Sequence, residues 1–219
     1  MRDAIRRCRR RTSEEGTTLV ELLVAMIVFA IAMTMIMAAA IAVQKVTKDS
    51  EASADAVFQT RQALATIDKQ VRSGNVLFSP ADEATYLTTC QSYGTNAGSC
   101  MRIYTQTNGP QKCVQWQVSP DGTGTYQLLM RSWTPDWQTV GGVSGWAVTA
   151  RGLAAPSAGS PPFTLDTNAS GTYGTRLLRV HLDAINAKSG KDVALDASIS
   201  GRNTTYGYTG NECLPVPAA

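Results

Sequence analysis

The polar and apolar positions of this chain divide it into two unlike stretches. Residues 16–43 read GTTLVELLVAMIVFAIAMTMIMAAAIAV, apolar almost throughout, with Glu21 as the single charge. As a helix, residues 17–43 rise about 40 Å, enough to cross a hydrocarbon layer of roughly 30 Å. A buried carboxylate near the start of a membrane helix is expensive, by a few kcal/mol even on lenient insertion scales, so a chain that merely needed an anchor would leave it out. From Gln44 the pattern turns amphipathic. Gln44, Lys45, Lys48, Asp49 and Glu51 are polar, then Val57, Leu64 and Val71 recur every seven residues, with Ala54 and Ile67 filling the same face. No glycine or proline interrupts residues 17–73, and Gly74 is placed to cap the end. The pattern predicts one helix, half in lipid and half packed on a domain, with 47–50 the place for any kink.

Beyond Gly74 the period shortens toward that of strands. Residues 75–78 form a short strand ended by Pro80, and 86–109 read as a stapled polar loop around a strand at 101–105. Residues 112–118 place Val114, Trp116 and Val118 on one face, Pro120-Asp121-Gly122 turns the chain, and 125–133 return as the partner strand. Residues 134–174, rich in Gly, Pro, Ser and Ala, read as surface excursions with apolar islands at 146–148 and 163–165. Strands at 177–185 and 193–199 are joined by 186–192 with a Ser189-Gly190 turn, and the tail to Ala219 is loop held by Cys213. No internal repeat is present. The expectation is an α+β fold, a long N-terminal helix packed on a mainly antiparallel sheet. Its segments are a leader at 1–16, a membrane half-helix at 17–43, an amphipathic half at 44–74 and a β-rich domain at 75–219.

Charge changes the picture at the start of the chain. Residues 1–16 hold six arginines against Asp3, Glu14 and Glu15, a net of +3 that equals the whole chain's +3. The remainder is close to neutral and lacks the positive field of a nucleic-acid binder, so nucleic acid is not an expected partner. Arginines ahead of an apolar run keep that end in the cytoplasm. A general secretory signal would instead be cut after the run, near Ala40 or Ala42. Cys8 lies in the leader, leaving Cys90, Cys100, Cys113 and Cys213, an even set that suits two disulfides in an oxidising compartment with three possible pairings. The pairing expected is Cys90–Cys100, closing the polar loop, and Cys113–Cys213, tying the tail to the hairpin.

The stretch Gly16, Thr17-Thr18-Leu19-Val20-Glu21, Leu22-Leu23-Val24-Ala25-Met26 resembles the processing and assembly signature of type IV pilins and pseudopilins. Thr17 stands where that family usually has phenylalanine, and Glu14-Glu15 precede the cut. The resemblance implies cleavage between Gly16 and Thr17 by a prepilin peptidase, N-methylation of Thr17, and Glu21 as the assembly residue. It also implies an inner-membrane assembly platform, other pilin or pseudopilin subunits and membrane lipid as partners. A filament outside the cytoplasmic membrane would be the destination. RQALATIDKQVRSGNVL, CVQWQVSPDGTGTYQLLMRSW, LLRVHLDAI and VALDASISGRN further resemble larger minor pilins and the J-type pseudopilin of type II secretion.

Nothing points to catalysis or a cofactor. His181, the single histidine, sits in an alternating strand. No cysteine pair has CxxC spacing, no phosphate-binding glycine pattern occurs, and the loop acids are dispersed. Trp116 and Trp133 belong to the hairpin core, whereas Trp137 and Trp146 are the exposed positions a ligand-binding protein would use. Asn168-Ala169-Ser170 and Asn203-Thr204-Thr205 match the glycosylation pattern, which is common by chance. A non-enzymatic filament subunit is the leading reading. The alternative is a membrane-anchored binding or adhesion protein using the helix only as a signal anchor.

Overall fold

The computed structural model describes residues 18–107, 109–166, 176–185, 192–201 and 208–218. The leader, Thr17, both sequons' asparagines and the Ser189-Gly190 turn lie outside the described residues. The chain falls into two compact units, the first ending at Thr47 and the second beginning at Lys48. Helix α1 (Leu19–Arg72) contributes to both and is assigned without a break through 47–50.

Among the described residues of the first unit α1 is the only element, and its Leu, Val, Ile, Met and Phe side chains from Leu19 to Val46 are all exposed. Among the described residues it is the one helix long and apolar enough to cross a membrane. In the second unit its remaining turns bury Ala56, Thr60, Ala63, Ile67, Gln70 and Val71. That stripe keeps Ile67 and Val71 of the expected heptad, but Ala54 is exposed and Val57 and Leu64 are only half-buried. The face turned to the sheet is smaller and more polar than the periodicity implied, because it rides close to the strands. A Cβ added at Gly152 would stand 3.5 Å from the Ala56 methyl.

The described strands are β1 (Gly74–Leu77), β2 (Ala97–Gly98), β3 (Cys100–Thr105), β4 (Lys112–Pro120), β5 (Tyr126–Trp133), β6 (Ala147–Leu153), β7 (Phe163–Asp166), β8 (Leu177–Ile185) and β9 (Asp192–Ser200). They form one sheet in the order β1-β3-β4-β5-β6-β8-β7-β2, every described pair antiparallel. Strand β9 pairs with all nine residues of β8 on the edge away from β6 and β7. The fold is α+β, as the two hydrophobic periods suggested. Single turns of helix, α2 (Glu83–Tyr86) and α3 (Trp137–Val140), interrupt the connections.

Three expectations are corrected. Residues 134–174 are not only excursions, since β6 and β7 are sheet members there; their Gly- and Ser-rich flanks masked short runs such as AVTARGL and FTLD. Gly74 is not a left-handed cap. It already belongs to β1 opposite Thr105, and a Cβ there would press on Ile103 at 3.0 Å and on the Gln70 and Val71 carbonyls at 3.1 Å. Trp137 and Trp146 are not open platform residues. Trp137 packs beside the Val76–Trp133 cluster and Trp146 beside Leu87 and the Cys90–Cys100 bridge.

Alternation along β3, β4 and β5 gives the sheet two covered faces. Met101, Ile103, Val114, Trp116 and Leu128 meet Ile67 and Val71 of α1. Arg102, Tyr104, Cys113, Gln115, Arg131 and Trp133 fill the opposite face, and they too are buried. Gln70 carries polar contacts across the helix–sheet core, and in the shortest the Trp116 indole N–H donates to its Oε1 at 2.7 Å. Gln70→Met leaves that buried donor without an acceptor, a loss of about 1–3 kcal/mol. The expected result is a lower urea midpoint with an unchanged slope; an unmoved midpoint would show that the bond contributes nothing.

Candidate functional site

Two places carry chemistry beyond packing, and the first is the start of α1. The Thr18 side-chain oxygen accepts the Glu21 amide N–H at 3.3 Å and the Thr18 carbonyl accepts that of Leu22 at 3.1 Å. Thr18 is therefore the N-cap and Glu21 stands in the first turn, the T-x-x-E spacing of a capping box. The T-x-x-E signal was legible in the sequence. An acid in the first turn complements the helix dipole by ~0.3–1 kcal/mol. The ~2.5–3.5 kcal/mol cost of an acid applies at the centre of a membrane helix, and Glu21 stands at its end. Gly16 and Thr17, the residues of the expected cut, lie just upstream, outside the described residues.

The second place is the outer face of β3–β4–β5. The structure joins Cys90 to Cys100, with Cα atoms 5.5 Å apart, and Cys113 to Cys213, 5.6 Å apart. The second bridge lays residues 213–218 across the sheet as a strap. Beneath it runs a buried chain of polar groups on cross-strand neighbours. Arg102 Nε donates to Glu83 Oε1 at 3.0 Å, Gln115 Nε2 donates to Glu83 Oε2 at 2.7 Å, and Arg131 Nε donates to Gln115 Oε1 at 2.9 Å. Both guanidiniums then reach the strap. Arg102 donates to the Cys213 carbonyl at 3.0 Å, and Arg131 to the Pro217 and Ala218 carbonyls at 2.8 Å each. The Trp137 indole N–H donates to the Pro215 carbonyl at 2.9 Å. A segment whose two prolines lack N–H groups offers acceptors, and the face beneath it offers donors.

Aromatic rings complete the seats. Arg102 lies 4.1 Å from the centre of the Phe78 ring and 4.8 Å from that of Tyr86, and Arg131 lies 4.5 Å from a Trp146 ring. Burial pushes the Glu83 carboxyl's pKa up, while Arg102 and Gln115 pull it down. Burial pulls the Arg131 pKa down, against the Glu83 charge. These groups escaped the sequence reading because the polar half of an alternating strand ordinarily faces water. The network is structural: it holds a peptide strap and presents no open reacting group.

His181 lies elsewhere, on the outward face of β8, between Asp183 and Asp196. No group of three or more metal-ligating side chains occurs among the described residues.

The family described as the prokaryotic N-terminal methylation motif matches residues 11–37, a span that includes Gly16, Thr17 and Glu21. The chain carries a type IV pilin-like N-terminal signature. That signature and the apolar start of α1 together fit membrane anchoring. No curated protein and no solved structure matches the chain, so the pilin-like part is the N-terminal stretch, and the β-rich domain stands on its own geometry.

The two bridges close loops of very different size, with sequence separations of 10 and 100. On loop-closure entropy the longer stabilises by ~5 kcal/mol and the shorter by ~3. The longer bridge also holds the strap over two buried cations. Cys113→Ser/Cys213→Ser is expected to lower the denaturation midpoint further than Cys90→Ser/Cys100→Ser. Equal losses, or the reverse order, would contradict the strap's role.

Proposed function

We propose that this chain is a non-enzymatic minor pilin or pseudopilin. In this reading it inserts in the cytoplasmic membrane with its N-terminus inside and is cut between Gly16 and Thr17 by a prepilin peptidase. It is methylated on Thr17 and passed by an inner-membrane platform into a filament of similar subunits. The observation that carries the reading is the register of Gly16, Thr18 and Glu21 with a membrane-length apolar helix inside the matched motif. An anchor-only protein uses Glu21 at most as a helix-end charge, whereas a filament subunit uses it in assembly.

Assembly then follows from electrostatics. From residue 17 to Gln44, Glu21 is the only charged side chain. Cleavage creates a cation, the α-amino group of Thr17, about one helical turn from Glu21 in its own chain. In a filament the amine of an adjoining subunit takes that place. At low dielectric the attraction between such charges is several times its value in water, and a carboxylate left unpaired there is disfavoured. Processing would license assembly because the uncut chain has no amine to offer. The β-rich domain would remain on the far side of the membrane, where its cysteines oxidise.

Glu21→Ala is expected to insert and be processed at wild-type levels while its share of purified filaments falls severalfold. Entry of Glu21→Ala subunits at wild-type levels would reduce Glu21 to a helix-end charge and remove the main support for the proposal.

A further inference from the structure

Strand β9 is the outermost member of the sheet on its side, held among the described residues by β8 alone. Its register with β8 runs unbroken from Leu177↔Ser200 to Ile185↔Asp192. Apolar packing secures only its C-terminal half. Ile199 is buried, whereas Leu195 and Ala197 are half-buried and Val193 is 39% exposed. The side chains on the other face, Asp192, Ala194, Asp196, Ser198 and Ser200, are small or acidic. Beyond the backbone ladder, the N-terminal half is held by cross-strand side-chain pairs.

His181 stands directly opposite Asp196 in that register. Its Nδ1 lies 2.6 Å from Asp196 Oδ1 across the ladder and its Nε2 lies 3.2 Å from Asp183 Oδ2 on its own strand. Both ring nitrogens thus face carboxylates. Imidazolium donates from both, making two charge-assisted bonds; neutral imidazole has one N–H, so one carboxylate then faces a lone pair. The other charges nearby do not relieve this. Arg179, two residues earlier on β8, is engaged by Asp166 of β7 at 2.8 Å. The connection between β6 and β7 approaches with Ala154, Ala155, Pro156, Ser160 and Pro162, none of them charged. Asp192 lies two pleat repeats away, opposite Ile185.

We propose that His181 is a proton-controlled clasp on the β8–β9 edge, closed when the ring is protonated and loosened when it is neutral. It is the only histidine in the chain, and so the one side chain whose ordinary titration falls between about pH 5 and 8. Burial pulls its pKa down, but the bonds and charges of Asp196 and Asp183 outweigh this and the net direction is upward. The sign follows: stability from the clasp is fully present below the unfolded value of about 6.5 and is lost as pH rises through the higher folded value. Loosening uncovers the edge of β8 that β9 covers, a row of backbone groups open to strand addition.

The test is hydrogen exchange of the β9 peptides in the full-length protein at pH 5.5 and 8.5, corrected for intrinsic exchange, with His181 titrated by NMR. Wild-type protection is expected to fall severalfold at the higher pH, while strands β3 and β4 hold theirs. In His181→Gln, β9 protection should not change between the two pH values. In Asp196→Asn the ring should titrate lower than in wild type. This second variant keeps the histidine and decides the matter if His181→Gln does not fold. A pH-independent β9 in wild type, the same pH response in His181→Gln, or a ring that titrates at or below its ordinary value would each overturn the proposal.

Discussion

Strands β3 and β4 are buried on both faces except at the ends of β4, and that constraint decides what must surround them. One face is apolar and meets the lower turns of α1, where Ile67 and Val71 are fully buried against Ile103 and Trp116. The other face buries two arginines and only one glutamate. Removing one partner of such a buried pair costs about 3–5 kcal/mol because the remaining charge is stranded. The domain meets this demand with backbone rather than with further acids. Three carbonyls of the strap take the guanidinium donors that Glu83 and Gln115 leave over. The tail is thus part of the core, and the Cys113–Cys213 bridge fixes the segment on which both arginines depend.

Helix α1 obeys a different rule in each unit. Up to Val46 its large side chains are apolar and exposed, a surface suited to lipid or to other apolar helices. From Lys48 it carries charges outward and a narrow stripe inward, a pattern suited to water on one side and a sheet on the other. A pilin-like signature and an apolar helix on the first part fit membrane anchoring, and the second part is a disulfide-closed β domain. The first unit carries the residues proposed for processing and assembly, and the second supplies a stable body.

Much of this was legible in the sequence, for identifiable reasons. The long helix and the β4–β5 hairpin announce themselves through uninterrupted period and a Pro-Asp-Gly turn. The motif at residues 11–37 is dense, with its informative residues consecutive. What was not legible depends on contacts between distant residues. Arg102, Gln115 and Arg131 alternate as solvent-facing residues do, and only the strap, some hundred positions further on, turns their face into an interior. Strands β6 and β7 are short and flanked by glycine and serine, so composition reads as loop while pairing with β5 and β8 makes them sheet. Trp137 and Trp146 read as exposed for the same reason: the groups that cover them come from elsewhere in the chain.

The claim on which the functional account rests is that this chain is made as a precursor and works after losing its first sixteen residues. Mass spectrometry of the N-terminal peptide, from protein recovered from the membrane and filament fractions of its own cells, addresses that most directly. The account predicts a chain beginning at Thr17 with a methyl group on its α-amine. A chain beginning at Met1, or one cut after Ala40 or Ala42, would contradict it.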